Sequence, residues 1–253
     1  MGPRIPTLAA LVLGATLSTL TLVGRATAQP ASTDLPPSAV PVPAAEATPS
    51  LSFSSDVTAA SRYIFQGFDY SEGRAVLQPN ASLVFRSVTA NVWGNYHVDH
   101  GEFDEFDLSL KMGRSFGSMS VAAGYMNLQY PNRVGWDPSQ ELFVELGMNA
   151  PLSPKLSIHY DFDAGTGTYS TLGLSKDIGH SISLATNLFY QGGYYDMTGV
   201  PAAELKASWA HTTGAYTFAP AISYFATWSN GDFRDAGAVP SNWLFALDVA
   251  RAF

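Results

Sequence analysis

The segment Asn242-Trp-Leu-Phe-Ala-Leu-Asp-Val-Ala-Arg-Ala-Phe253 alternates in chemistry with a period of two. Successive side chains of a β-strand point to opposite faces, so one face carries Trp243, Phe245, Leu247, Val249, Arg251 and Phe253. The other face carries small side chains and one carboxylate, Asp248. Apart from Arg251, the face with the large apolar side chains suits lipid, and the face with the small side chains suits a polar lumen. The closing strand of a transmembrane β-barrel has this pattern. An amphipathic edge strand of a soluble sandwich has the same pattern, so the rest of the chain must decide.

The overall composition favours the membrane alternative. Charged residues make up 13% of the chain and aromatic residues another 13%, whereas soluble domains have about 25% charged residues. A barrel explains both values, because every second wall residue faces lipid and yet no segment is continuously apolar. The net charge of −8 and the lack of a basic cluster argue against nucleic-acid binding. The absence of cysteine excludes disulfides, thiolate metal sites, cysteine nucleophiles and a lipidated cysteine.

The first 50 residues are predicted to lie outside the folded domain. Arg4 precedes an apolar stretch over residues 8–23, and Ala26-Thr-Ala28 has the small-x-small pattern of a cleavage site, so residues 1–28 are interpreted as a signal peptide cleaved near Ala28. An uncleaved N-terminal anchor is the alternative. Residues 29–50 are rich in Pro, Ala and Ser and are interpreted as a disordered linker, with a recognition motif or cell-wall tether as the alternative. Residues 51–253 then form one barrel domain.

Twelve strands are predicted from period-two alternation bounded by turn residues. Each is about long enough to cross a bilayer at a tilt. They cover residues 51–65, 76–86, 89–98, 104–115, 119–130, 140–149, 155–163, 168–176, 181–191, 203–211, 216–228 and 242–253. Merging or splitting one weak strand would give ten or fourteen.

The predicted connections alternate between short and long. Tight turns lie at residues 87–88, 116–118, 150–154, 177–180 and 212–215, and mostly longer segments separate the other strand pairs. Outer-membrane barrels have an even strand number, short periplasmic turns and longer external loops. The fold class predicted is therefore all-β, an antiparallel up-and-down barrel in the outer membrane with its long loops outside. Aromatic residues near predicted strand ends suit interfacial girdles; they are Tyr63, Phe65, Tyr130, Tyr190, Tyr216, Trp228, Trp243 and Phe253.

Residues 61–85 and the Val92-Trp-Gly-Asn95 element carry a family resemblance. An aromatic-rich first strand ends at a Gly corner, Gly67, and a polar loop and a Trp-Gly element follow. This arrangement resembles the start of the TorF-type porin family over the first three predicted strands, and the rest of the chain agrees in barrel pattern and length. Gln66 stands where the family pattern has Arg, and Arg62 lies four residues earlier. The resemblance implies an outer-membrane location and a porin class rather than a particular solute.

The inward faces of the predicted strands carry the candidate functional residues. Acids exceed bases by about two to one, which in a low-dielectric wall favours cations over anions. The acids are Asp56, Glu105, Asp107, Glu141, Glu145, Asp161, Asp163, Glu204 and Asp248, and the bases are Arg62, Arg86, Lys111 and Lys206. The alternative is that these charges pair across the barrel and fill it.

The densest polar patch invites a catalytic interpretation. It comprises Ser157, His159, Asp161 and Asp163 on one predicted strand beside Glu141 and Glu145 on the preceding one. A serine nucleophile with a histidine base would resemble barrel-borne lipid hydrolases. A Gly-x-Ser-x-Gly elbow is missing, so no enzymatic activity is predicted and His159 is interpreted as a hydrogen-bonded wall residue.

A metal site is conceivable near the second long loop. His97 and Asp99 share a face, and His100, Glu102 and Asp104 follow closely. The residue spacing of a calcium loop is absent, and a hydrophilic external loop would look the same. No metal or cofactor is therefore predicted.

The sequence as a whole predicts a narrow, porin-like channel for small polar solutes with a mild preference for cations. A structural or adhesive barrel with a plugged lumen and a barrel-borne lipid hydrolase are the alternatives. The expected partners are outer-membrane lipids, lipopolysaccharide, the barrel-assembly machinery and small solutes, and not nucleic acid. Acids of the external loops could bind divalent ions that bridge lipopolysaccharide or could simply be solvated; they are Asp69, Glu72, Asp137, Asp196, Asp232 and Asp235.

Overall fold

The computed structural model describes residues 51–179, 181–228, 233 and 241–253. The predicted signal peptide and linker, residues 1–50, lie outside this part of the chain, as do Asp232 and Asp235. Over the described residues the fold is built almost wholly from β-strands. Within the same residues, no helix is long and apolar enough to cross a membrane.

Twelve antiparallel strands form the wall, which confirms the predicted fold class and strand number. Every wall strand pairs with its neighbours in sequence, and pairing of the first strand with the last closes the barrel. The wall strands are β1 (Leu51–Ala60), β4 (Val76–Phe85), β5 (Val88–His97), β6 (Glu102–Phe116), β7 (Met119–Gln129), β8 (Ser139–Met148), β9 (Lys155–Asp161), β10 (Gly167–Ile178), β11 (Ile182–Tyr194), β13 (Ala202–Trp209), β15 (Tyr216–Thr227) and β16 (Asn242–Ala252).

Four short strands lie outside this set. β2 (Ile64–Phe65) and β3 (Phe68–Asp69) form a small hairpin between β1 and β4, while β12 (Met197–Gly199) and β14 (His211–Thr213) pair with β11 and β15. The prediction that the first strand runs to residue 65 is wrong, because the chain leaves the wall after Ala60. Gln66 and Gly67 then take positive φ values of 53° and 87° and reverse the chain.

The outer face is apolar and the inner face is polar, as the period of two requires. On β6 the outward Leu108, Leu110 and Met112 are 53%, 55% and 62% exposed, whereas the alternate residues Asp107 and Lys111 are buried. Similar exposed apolar rows follow the other strands and add up to a far larger apolar surface than a soluble monomer presents. The barrel is therefore of the transmembrane type, with lipid as the solvent of its outer face.

The two ends of the barrel differ. Short turns at residues 86–87, 117–118 and 149–154 lie at one end, and longer connections such as residues 61–75 and 130–138 lie at the other. We call these the short-turn end and the long-loop end. Leu51 and Phe253 lie at the short-turn end, since the paired strands β1 and β16 begin and finish there.

The predicted aromatic girdle is correct only in part. Tyr190, Tyr216, Trp228, Trp243 and Phe253 are at least 43% exposed and lie on or beside the outward rows. Three further residues of that prediction, Tyr63, Phe65 and Tyr130, instead lie in or beside the interior packing at the long-loop end. The period-two analysis assigned them to the girdle because it extended the two strands beyond Ala60 and Gln129, where β1 and β7 end.

Candidate functional site

The first long connection, residues 61–75, folds into the barrel, and we call it the inserted loop. Ile64 and Gln66 have no exposed surface. The Gln66 amide donates a hydrogen bond of 3.0 Å to the Thr171 hydroxyl on β10, five strands from β1 by the shorter way round the wall. The Phe65 ring meets that of Tyr169, also on β10, at 5.3 Å between centroids. The loop therefore crosses the lumen and reaches the far wall.

A defined turn gives the inserted loop its shape. The Asp69 carboxylate accepts hydrogen bonds from the Ser71 backbone N–H at 3.0 Å and from the Gly73 N–H at 2.9 Å, and it pairs with Arg62 at 3.2 Å. The Ser71 hydroxyl in turn accepts a 2.7 Å bond from the Tyr63 N–H. Such side-chain bonds to the backbone hold a non-repetitive segment in one conformation.

The main apolar core is inside the barrel, around the inserted loop. Ile64 packs among inward residues of several strands, namely Phe189, Ala202, Phe225 and Leu244. Gly67 lies so close to the wall that a Cβ there would come within 2.7 Å of the Ala202 Cβ. Tyr63 packs on Trp93 of β5, with ring centroids 5.6 Å apart. Phe233, from the last long connection, packs on Phe68 at 6.4 Å. This burial stabilises the inserted position of the loop.

Arg133, in the connection between β7 and β8, fastens the inserted loop to the wall. Its Nε atom lies 2.8 Å from Asp104 Oδ2, and its Nη2 donates a 3.2 Å hydrogen bond to the backbone oxygen of Tyr70. The guanidinium carbon lies 5.2 Å from the Tyr70 ring centroid and 4.7 Å from that of Trp136. Burial lowers the pKa of Arg133, but the Glu105 and Asp104 carboxylates raise it by more, so the pKa is raised overall and the guanidinium stays charged.

A cluster of carboxylates surrounds the inserted loop on the wall. A β-bulge between β5 and β6 pairs Asn95 with Glu105 and Tyr96 with Phe103, so that Asp104 is the extra residue. As a result the adjacent residues Asp104 and Glu105 are both buried. Asp104 also lies 2.9 Å from His97 Nε2.

The remaining acids of this cluster lie on β6, β8 and β9. Glu141 Oε2 accepts a 2.7 Å bond from the Tyr169 hydroxyl and lies 2.9 Å from His159 Nδ1. Asp161 accepts a hydrogen bond from the Ser139 hydroxyl, whose oxygen lies 2.8 and 2.7 Å from the two oxygens of the Asp161 carboxylate. Asp107 Oδ1 and Glu141 Oε1 are buried without a hydrogen-bond partner among the described residues. Acid and aromatic side chains thus share the constricted half of the lumen.

Most inward charged side chains nearer the short-turn end are paired or hydrogen-bonded with other residues of the wall. Lys111 Nζ lies 2.9 Å from Glu145 Oε2. Amide or hydroxyl donors contact the other acids: Asn187 bonds to Glu204 at 2.7 Å, Asn80 to Asp56 at 2.7 Å and Thr58 to Asp248 at 3.1 Å. Lys206 is buried on the inward row of β13. These contacts join neighbouring or next-but-one strands along the wall.

The structure places most of the predicted lumen residues on inward rows. They are Asp56, Glu105, Asp107, Lys111, Glu141, Glu145, His159, Asp161, Glu204, Lys206 and Asp248. Three predicted positions differ. Arg86 is exposed in the turn after β4, where its guanidinium lies over the outward Phe85, and Asp163 is exposed beyond β9. Arg62 belongs to the inserted loop, because β1 finishes before it.

Sequence reasoning missed Arg133, Asp104 and Lys155 as lumen residues. Lys155 shares the inward row of Ser157, His159 and Asp161 on β9, so extending that alternation by one step would have found it. Asp104 faces inward only because of the bulge, and Arg133 lies in a loop without any period.

The structure shows where the residues of the catalytic and the metal alternatives lie. Ser157 Oγ and His159 Nε2 are buried on the inner wall, and the described residues offer neither of them a hydrogen-bond partner. The His159 ring is stacked between Phe143 and Tyr169 at 5.1 and 4.6 Å. At the second long loop, His97 stacks on His100, and Arg74 contacts His100. Among the described residues, no group of three or more His, Asp or Glu side chains is arranged to hold a metal ion.

Comparison with known proteins supports the fold and leaves the family open. No protein-family model matches the chain, and no curated protein matches it. The resemblance to the TorF-type porin family therefore stays a prediction. A solved structure from work on the in-meso crystallization of membrane proteins is similar, with a TM-score of 0.52 and 10% identity over 80% of this chain and 84% of the other.

Two further solved structures are similar at lower scores. The outer membrane phospholipase A from Escherichia coli gives a TM-score of 0.48 with 12% identity over 80% of this chain and 93% of its own. OmpF of Salmonella typhi in complex with daunomycin gives 0.40 with 7% identity over 81% and 97%. At these identities the likeness concerns the fold alone, and the chain is a transmembrane β-barrel of twelve wall strands.

Proposed function

We propose that the protein is an outer-membrane, porin-like channel for small polar solutes, with a mild preference for cations and with the inserted loop as its narrowest part. The observation that carries the proposal is the polar inner wall, which includes buried inward atoms without a hydrogen-bond partner among the described residues. They include Asp56 Oδ2, Asp107 Oδ1, Glu141 Oε1, Ser157 Oγ, His159 Nε2, Gln191 Oε1 and Ser223 Oγ. Buried polar groups are nearly always satisfied, and an inner wall with this many polar atoms is typical of outer-membrane barrels with an aqueous lumen.

The preference for cations rests on the carboxylates around the inserted loop. Asp104, Glu105, Asp107, Glu141 and Asp161 are all buried there, and Arg133 is the permanently charged base among them. Wall charges act strongly on an ion in a narrow passage between low-dielectric walls. Excess acid at the constriction therefore attracts cations and repels anions.

A structural barrel with a plugged lumen is the second candidate. It is favoured by the contacts of the inserted loop, which reach the far wall through Gln66 and Phe65 and close around Ile64. Lipid hydrolysis is not proposed, since Ser157 and His159 face the barrel interior rather than the lipid. Neither the wild type nor His159→Ala is therefore expected to hydrolyse lipid esters.

Reversal potentials in planar bilayers test the channel. Under a KCl gradient, the wild-type barrel is expected to pass K⁺ more readily than Cl⁻, and Glu141→Gln with Asp161→Asn should shift the reversal potential toward the chloride value. Glu102→Gln is the matched control, because Glu102 is exposed at the start of β6. The shift should shrink at high salt, since the screening length falls from about 10 Å at 0.1 M to about 3 Å at 1 M. A purified, folded barrel without conductance would favour the plugged barrel instead.

A further inference from the structure

A small cavity lies between the inserted loop and the acid-rich wall. Its volume is about 20 Å³. Two carboxylates, Glu105 and Asp107, line it together with aromatic rings that include Tyr63, Tyr70, Tyr169 and Tyr194. We propose that this cavity binds one small monovalent cation, of the size of ammonium or potassium, with the Asp107 carboxylate as its main ligand.

The first argument is the unsatisfied carboxylate. Asp107 is only 3% exposed, and its Oδ1 has no hydrogen-bond partner among the described residues. Asp104 is paired with Arg133 and His97. Glu141 is bonded to His159 and Tyr169 through Oε2, although its Oε1 is also without a partner there. An ionised carboxylate buried without a partner is costly, so Asp107 requires either a cation or a proton. Glu105 and Glu141 act electrostatically on Asp107 and add to the attraction for a cation.

The second argument is the chemistry of the rings. Aromatic faces attract cations within about 6 Å of the ring centroid. Three of the rings that line the cavity already contact a cation on another side, because the Arg133 guanidinium carbon lies 5.9 Å from Tyr63, 5.2 Å from Tyr70 and 4.7 Å from Trp136. Arg133 is bonded to Asp104, with Glu105 at 3.9 Å, and its charge reaches Asp107 only at longer range. Of the two carboxylates that line the cavity, Asp107 is therefore the one without an ion pair to the guanidinium among the described residues.

The third argument is size. The space open to the centre of a water-sized particle is about 20 Å³, so the cavity admits a particle of that size. Ammonium and potassium are of that size, and tetramethylammonium is much larger. The lining favours a monovalent ion, because it consists of two carboxylates and otherwise of aromatic and apolar side chains, whereas Ca²⁺ and Mg²⁺ take six or more oxygen ligands. The inference rests on the proposed channel in one respect, since the water-filled lumen is the path by which the cation arrives.

Fluorescence titration of the full-length barrel, folded in detergent, tests the site. Trp136 lines the cavity and serves as the reporter. Ammonium chloride or potassium chloride is added in exchange for tetramethylammonium chloride, so that the ionic strength stays constant. A saturable change in tryptophan emission is expected for the wild type. In Asp107→Asn the apparent affinity should fall by roughly tenfold or more, as for the loss of a charged hydrogen-bond partner. Asp248→Asn is the matched control, because Asp248 is an inward carboxylate that bonds to Thr58 away from the cavity.

A second variant covers the case in which Asp107→Asn fails to fold. Tyr194→Leu keeps the carboxylate and removes one ring, and it should weaken ammonium binding by several-fold. Folding of each variant is checked by heat-modifiable mobility on gels. A wild-type barrel without a saturable response, or equal affinities in the wild type and Asp107→Asn, would overturn the proposal and indicate that a proton satisfies Asp107.

Conductance of the same samples separates this inference from the proposed function. Conductance without saturable binding would reject the cation site and leave the channel in place. Saturable binding in a barrel that does not conduct would support the site and reject the channel.

Discussion

Replacing Arg133 with Met should loosen the inserted loop. The substitution keeps most of the side-chain length but removes the charge and every hydrogen bond of the guanidinium. The Arg133 and Asp104 side chains are 9% and 7% exposed, so their ion pair is buried. Removing one member of a buried pair costs about 3–5 kcal/mol, because the other charge is left uncompensated.

Only part of this cost bears on the position of the loop. Arg133 holds the loop directly through its hydrogen bond to the Tyr70 oxygen and its contacts with the Tyr63 and Tyr70 rings. A hydrogen bond from a charged donor contributes about 1.5–3 kcal/mol. Taking about 2 kcal/mol as the loss, the ratio of displaced to inserted loop rises by roughly thirtyfold, since about 1.4 kcal/mol corresponds to a factor of ten.

Single-channel recording of Arg133→Met measures this change. The variant should spend far more time in a state of higher conductance than the wild type. Arg114→Met is the matched control, because Arg114 is exposed near the short-turn end and its guanidinium lies over Phe116. Adding Asp104→Asn to Arg133→Met should restore part of the wild-type behaviour, since a neutral amide no longer demands a cation. The reasoning is refuted if Arg133→Met and Arg114→Met give the same currents.

Three further predictions concern orientation, packing and closure. Because the chain has no cysteine, a cysteine at Glu72 should react with an impermeant reagent on intact cells and one at Gly117 should not; reaction at Gly117 in sealed cells would reverse the orientation. Gly124→Ala should lower the temperature at which the folded gel band disappears, because a Cβ would lie 2.4 Å from Phe143 Cζ and overpacking costs about 1–3 kcal/mol; an unchanged temperature would contradict this packing. Phe253→Ala should reduce the yield of folded barrel relative to Phe253→Tyr, since the Phe253 ring packs 5.2 Å from Phe53 across the β1 and β16 closure; equal yields would show that the ring is dispensable.

The barrel wall could be predicted from the sequence because lipid and lumen demand different side chains at alternate positions. On β16, Trp243, Phe245 and Leu247 are exposed and Leu244 and Asp248 are buried, as the period of two requires. The alternation of short and long connections followed from turn residues alone and fixed the even strand number.

The packing of the inserted loop inside the barrel could not be predicted in the same way. The contacts that hold the inserted loop join Gln66 to Thr171 and Phe65 to Tyr169, residues more than a hundred positions apart. Period-two analysis also assigns one of two adjacent residues to the lipid, and the bulge breaks that rule at Asp104 and Glu105. The excess of aromatic residues around Gly67 was visible, but it was equally typical of an interfacial girdle.

The distribution of charge along the lumen connects the two proposals. Nearer the short-turn end, four acids and three lysines share the inner wall, so their opposite charges nearly balance for a passing ion; they are Asp56, Glu145, Glu204, Asp248, Lys111, Lys155 and Lys206. At the inserted loop, Arg62 is paired with Asp69, the wall acids face the Arg133 guanidinium, and Asp107 Oδ1 has no hydrogen-bond partner among the described residues. The level at which the inserted loop crosses the lumen is thus also the level at which the acid excess is greatest. Since a charge acts most strongly on an ion where water is scarce, selectivity and the single-cation site should both reside there, and the half nearer the short-turn end should contribute access alone.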